Sequence, residues 1–137
     1  MKRSILKQCL SIAHSTIEKH PQYNFYLHWS FIVQRNKLMG YATNDAGSDV
    51  PVHLGYQSRL KGEYQAKRHS EWNCYRRVKG ILVPGKSFEI VNIRLNKKGQ
   101  IKNSQPCSCC FSFLKEMCDC SHCYFTTDEG IWAKTIF

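Results

Sequence analysis

Two short runs, His69-Ser70-Glu71 and Pro106-Cys107-Ser108-Cys109-Cys110, constrain this chain more than any other feature of it. Cys107 and Cys110 stand three apart, a spacing that on a helix puts both sulfurs on one face at the first turn. Pro106 occupies a position that helix starts tolerate well. His69 opens a second run of helical spacing, 67–79, which Gly80 stops. Two helix N-termini that face each other would bring one imidazole and two thiolates to a single point. The positive end of a helix dipole favours thiolate over thiol. Soft sulfur combined with imidazole selects zinc, and three protein ligands leave a fourth position for water, the catalytic arrangement rather than the structural one.

Glu71 acquires a role from the same spacing. It lies two residues beyond His69, too close in the chain to be a convenient fourth ligand, yet near enough to reach a water bound there. Zinc lowers the pKa of such a water to about 7. A carboxylate beside it can take the proton and return it to a leaving group. Each half alone also fits a plainer reading: an exposed helix-start histidine with a dipole-paired glutamate, and buried inert thiols. Both halves together, in this order, favour the metal site. Cys109 in place of Cys110 is an alternative third ligand, although residues two apart on a helix point to different sides.

The rest of the chain is consistent with one globular domain over residues 1–137. Its 137 residues are long enough for a core, and 42% hydrophobic content argues against disorder. No apolar run reaches the roughly 18 residues a membrane span needs. The N-terminal segment begins basic but is broken by Gln8, Ser11, His14 and Ser15, so it does not read as a signal peptide. Six of the eight cysteines (Cys107, Cys109, Cys110, Cys118, Cys120 and Cys123) fall within 17 residues, a clustering that suits metal ligands and spare thiols better than a disulfide framework. Together these predict a cytoplasmic, reducing location. A net charge of +10 points to anionic partners.

Periodicity predicts the order α-β-β-α-β-α-β-β: a helix from 4 to about 19 ended by Pro21, a hairpin of strands 23–35 and 38–43 turning at Asn36 and Lys37, the helix over 67–79, a strand 88–96, a turn at NKKG with a short return, the helix after Pro106, and strands CYFTT and IWAKTIF joined by DEG. Residues 44–66 carry three Gly and one Pro without a sustained period and read as a long loop.

The two-part pattern H-x-E … P-C-x-x-C is the signature of zinc nucleobase deaminases. With GYATND, EIVNIRLN and YFTTDEG in their places, the chain resembles the cytidine/deoxycytidylate deaminase superfamily over about residues 5–136, and is most like the small deaminase-domain proteins of viruses and microbes. The resemblance implies a cytidine deaminase-like three-layer α/β fold: a five-stranded mixed sheet with the two zinc-bearing helices on one face. Only Asp128-Glu129-Gly130 separates the last two strands, which forces an antiparallel C-terminal hairpin. By resemblance His69, Cys107 and Cys110 hold Zn2+, Glu71 is the catalytic proton shuttle, and Asn44 contacts the sugar. Trp72, an unusual residue after the glutamate, packs or lines the pocket.

The implied activity is hydrolytic deamination of cytosine to uracil in a nucleotide, nucleoside or single-stranded nucleic acid, with adenine as the chemically parallel base. Tyr56 and Tyr64, with Arg59, Lys61, Lys67 and Arg68, mix aromatic and basic character in a way that suits stacking on bases and holding phosphate; the plain alternative is a solvated basic loop. Residues 53–79 hold seven Lys and Arg against two Glu. A zinc-stabilised nucleic-acid-binding module without catalysis is the alternative function, and a homo-oligomer is an expected assembly by resemblance. Cys118, Cys120, His122 and Cys123 form a candidate second zinc site, with reduced core or surface thiols as the other reading. His14, His20, His28 and His53 read as ordinary helix, strand or loop residues.

Overall fold

The computed structural model describes residues 1–20, 27–44, 69–117 and 119–137. Helix α1 spans Arg3–Ser15 and presents Ile5, Leu6, Cys9 and Ala13 to the interior. It stops earlier than its periodicity predicts. The Thr16 hydroxyl bonds back to the Ile12 carbonyl at 2.8 Å, and a 3-10 turn, Ile17–Lys19, follows. Threonine favours such local bonds over continuing a helix. Pro21 and the predicted start of the first strand lie outside the described residues.

Strand β1 (Leu27–Gln34) pairs antiparallel with β2 (Lys37–Thr43). The turn sits one residue earlier than expected, on Arg35 and Asn36, both at positive φ (55° and 61°). Left-handed φ at both central residues is the two-residue turn whose twist matches that of its flanking strands. Lys37 is therefore a strand residue, paired with Gln34. Helix α2 (Ser70–Val78) follows, then β3 (Phe88–Leu95), a two-residue β4 (Ile101–Lys102), helix α3 (Ser108–Met117), β5 (Cys120–Thr126) and β6 (Trp132–Ile136).

The main sheet path is β2-β1-β3-β5-β6, with β4 pairing only to β3. The β3–β5 pair is parallel and the others antiparallel, so the sheet is mixed and its C-terminal pair is the expected hairpin. The short return after the NKKG turn is a sixth strand rather than a bare connection. The fold is α/β with a mixed sheet, as the element order predicts.

Helices cover both faces of the sheet. On one side α1 packs its apolar stripe on Leu27, Trp29, Phe31, Val33, Val91 and Ile93. On the other, Ile32, Phe88, Ile90, Cys123 and Phe125 meet Cys74 and Val78 of α2 and Phe113 and Leu114 of α3. Coverage of both faces explains why β1 and β3 read as nearly unbroken apolar runs instead of alternating ones.

Helix α2 is held on the outer strand β2 by its own side chains. Asn73 Nδ2 donates to the Thr43 carbonyl and Arg77 Nη1 to the Tyr41 carbonyl, each at 2.8 Å. These bonds run along one helix face and back along the strand, occupying carbonyls on a strand that has one sheet neighbour among the described residues. Gly40 permits the approach: a Cβ there would lie 2.7 Å from Val78 Cγ1. Valine is stiff at χ1 and cannot swing away cheaply. Gly40→Ala should therefore destabilise the fold by about 1–3 kcal/mol, and adding Val78→Ala should restore part of that loss. Thermal melting checks both; an unchanged melting temperature for Gly40→Ala would mean that the helix does not seat this closely.

Candidate metal centre

Both halves of the paired motif sit at helix N-caps. His69 caps α2 with extended backbone (φ −78°, ψ 152°), and its carbonyl accepts from Asn73 N at 3.1 Å. The helix thus begins three residues later than its periodicity predicts. Cys107 stands in the same relation to α3, its carbonyl accepting from Phe111 N at 2.8 Å. Its sulfur also accepts from Cys110 N at 3.4 Å, doing the work of a capping side chain.

The two caps converge. His69 Nδ1 lies 3.1 Å from Cys110 Sγ and 3.4 Å from Cys107 Sγ. All three donor atoms fall within 4.8 Å of one another, and among the described residues they are the group that could hold a metal ion. A tetrahedral ion with Zn–S of about 2.3 Å and Zn–N of about 2.0 Å would separate nitrogen from sulfur by about 3.5 Å, close to what is found. Cys110 is buried, His69 half-buried and Cys107 exposed, so the group is open on one side. The Cys107 thiol is pushed down to about 3, chiefly by the Cys110 side chain and then by His69. His69 is raised in turn, first by its hydrogen bond with Cys107. Thiolate is the form that binds metal.

Glu71, on the first turn of α2, is only 6% exposed. Asn92 Nδ2 donates to its Oε2 at 3.0 Å, and Ser70 Oγ approaches Oε1 at 3.3 Å. Behind these, Ser30 Oγ donates to Asn92 Oδ1 at 2.7 Å and lies 2.8 Å from Ser70 Oγ. The Asn92 amide also reaches the Ser104 carbonyl at 3.3 Å, while Ser104 Oγ donates to the Asn92 carbonyl at 2.8 Å. Ser30, Ser70, Asn92 and Ser104 are all buried. Neither Ser30 nor Asn92 stands out in a search for catalytic residue types. Their signal is a polar residue inside an otherwise apolar strand, in WSFIV and IVNI.

Strand register carries this polar patch toward the metal group. Ser30 is opposite Asn92, and His28 opposite Arg94, two residues nearer one end of the sheet. His28 is pushed down to about 4, mainly by burial and then by the charges of Arg94 and His69. It therefore stays neutral in this cluster. Asn44, at the end of β2, is tied to β1: its Oδ1 accepts from His28 N at 3.0 Å, and its own N donates to His28 O at 3.4 Å. Trp72 rests edge-on against Phe113, with centroids 5.4 Å apart, at the α2–α3 contact. Tyr56, Tyr64, Arg68 and the long basic loop lie outside the described residues, as does the Cys109 side chain.

Within the compact CDCSHC run, Cys120–Cys123 belong to β5, which begins three residues before the predicted strand. Cys120 and Cys123 are buried in the core beneath α2 and α3, and His122 Nδ1 lies 4.0 Å from Glu89. Among the described residues these side chains form no metal group; Cys118 lies outside them. No disulfide joins Cys9, Cys74, Cys107, Cys110, Cys120 or Cys123. Among the described residues, no helix is long and apolar enough to cross a membrane.

No family model and no curated protein matches the sequence. Among solved structures, a cytidine deaminase from Burkholderia pseudomallei is similar, with a TM-score of 0.59 and 15% identity over 99% of this chain and 93% of that chain. The likeness shows the fold.

Zinc titration of the purified chain should give one equivalent bound. His69→Ala, Cys107→Ala and Cys110→Ala should each lose it, and Cys109→Ser should keep it. Stripping the ion should lower stability by about 2.7 kcal/mol relative to a solution in which free zinc stands a hundredfold above its dissociation constant. Loss of zinc from Cys109→Ser, with retention by Cys110→Ala, would exchange the third ligand.

Proposed function

We propose that this chain is a zinc-dependent hydrolytic deaminase that converts cytosine to uracil in a nucleoside, nucleotide or single-stranded nucleic acid. The observation that carries the reading is a buried, hydrogen-bonded carboxylate two residues beyond His69, a member of a three-donor group whose Cys107 is exposed. The similarity of the fold to a cytidine deaminase supports it.

His69, Cys107 and Cys110 would hold the ion. Bound zinc supplies a water acidified to about pKa 7. The overall change is cytosine plus water to uracil plus ammonia: the water oxygen stays on the ring carbon, one of its protons ends on the neighbouring ring nitrogen and the other leaves with the amine. We assign the transfer of both to Glu71. Its Oε2 is occupied by the Asn92 amide, whereas among the described residues Oε1 has the longer Ser70 contact. Oε1 is thus the oxygen that takes the proton, passes it to the ring nitrogen beside the reacting carbon, and then serves the departing amine. Near-complete burial keeps bulk water from competing for that proton. Asn44, fixed against β1, is assigned to the sugar, and Trp72 packs against Phe113 where α2 meets α3. A purely structural zinc site has no need of a buried carboxylate, which weighs against the binding-module alternative.

Zinc-loaded chain incubated with cytidine, dCMP, single-stranded DNA and RNA should release ammonia from at least one of them. Glu71→Gln should keep its zinc and lose about 10²–10⁴-fold in rate. A polynucleotide substrate would show steep loss of binding between about 50 and 200 mM salt, and a nucleoside would not. If the loaded wild-type chain releases no ammonia from any cytosine compound, the proposal fails.

A further inference from the structure

An asparagine inside a central strand destabilises the fold unless its polar groups are all engaged. Asn92 is 2% exposed and lies between Val91 and Ile93, both fully buried, on a strand with neighbours on either side. Its sheet face is otherwise apolar farther along: Ile90 on the same strand and Ile32 beside it belong to the core. A leucine would fill the same space without any hydrogen-bonding demand, so packing does not account for the amide.

The surrounding groups permit one orientation of that amide. The Ser104 carbonyl, 3.3 Å from Nδ2, can only accept. An ionised Glu71, with Oε2 at 3.0 Å, also only accepts. Ser30 Oγ, 2.7 Å from Oδ1, supplies the donor on the opposite side. A flipped amide would set its oxygen against two acceptors. The two Nδ2 protons therefore go to different halves of the site: one to Glu71 on α2, the other to Ser104, three residues before Cys107.

We infer that Asn92 is a positioning residue for the proposed reaction: its amide fixes the rotation of the Glu71 carboxylate and ties it to the segment that delivers Cys107, with Ser30 holding the amide in turn. The inference rests on the reading of Glu71 as the proton carrier. A glutamate side chain has three rotatable bonds, and a misplacement of about 1 Å in a reacting constellation can cost about a hundredfold in rate. Without Asn92, Oε2 loses its donor and the carboxylate loses its fixed rotation relative to the sulfur ligands.

The test is a cycle of Asn92→Leu and Glu71→Gln in the zinc-loaded chain, reading zinc content, kcat and KM. Asn92→Leu should keep one zinc, lower kcat by about 10- to 100-fold and leave KM within about threefold. In the Glu71→Gln background it should lower kcat no further, since a residue that acts through another has nothing left to act on. Ser30→Ala should lower kcat in the same direction by less, and it serves the same cycle if Asn92→Leu does not fold. Independent multiplication of the two effects, or a rise in KM at unchanged kcat, overturns the inference. One readout does not depend on turnover: of the two side-chain amide proton resonances of Asn92, Glu71→Gln should move one more than the other. Failure of both to respond overturns the tie. A wild-type chain that deaminates nothing overturns the proposed function, while a responding resonance would still uphold the contact between Asn92 and Glu71.

Discussion

Burying a carboxylate is the constraint around which this structure is arranged. Removing an ionised group from water is costly unless hydrogen-bond donors replace the water. Glu71 is all but buried; Asn92 of β3 donates to it, Ser70 lies beside it on α2, and Ser30 of β1 is bonded to both Asn92 and Ser70. The sheet order makes this possible. With β1 and β3 adjacent and antiparallel, Ser30 stands opposite Asn92, and both point to the face covered by α2. A register slip of one residue would turn both side chains to the α1 face and leave the carboxylate without its partners.

The metal group depends on the same frame. Its two segments arrive as N-caps of helices that lie on one face of the sheet, and an N-cap is where a chain has extended backbone and backbone N–H groups still seeking acceptors. Cys107 satisfies one of these with its sulfur while keeping the same sulfur near His69. The capping role and the ligand role favour the same charged form, the thiolate. Ser104 lies in the connection leading to Cys107 and is bonded to Asn92, so the carboxylate and the candidate sulfur ligands meet at one hydrogen-bonded junction.

Much of the fold was legible in the sequence because its signals are local. The apolar stripe of α1, the hairpin after β1, the turn closed by Gly99 and the three-residue C-terminal turn follow from spacing and turn chemistry. The errors are local too. Asn36 and Lys37 look like the turn pair, but strand twist favours Arg35 and Asn36, because both positions must adopt left-handed φ. The predicted helix over 67–79 starts at Ser70, since His69 is extended as its cap. CDCSHC resembles a ligand cluster because of its composition, yet most of it is strand, with Cys120 and Cys123 buried among apolar neighbours.

The chemical types at the centre can be read along the chain: an imidazole, two thiols at helix spacing and a carboxylate two residues from the histidine. Those follow from short-range spacing, which sequence displays directly. That the two runs meet, that Cys107 is the exposed member of the group, and that Ser30, Asn92 and Ser104 stand behind Glu71 emerge from the folded arrangement. Serine and asparagine carry no pattern of their own. Their meaning comes from which strands are neighbours and in what register, and that is settled by packing across the whole sheet.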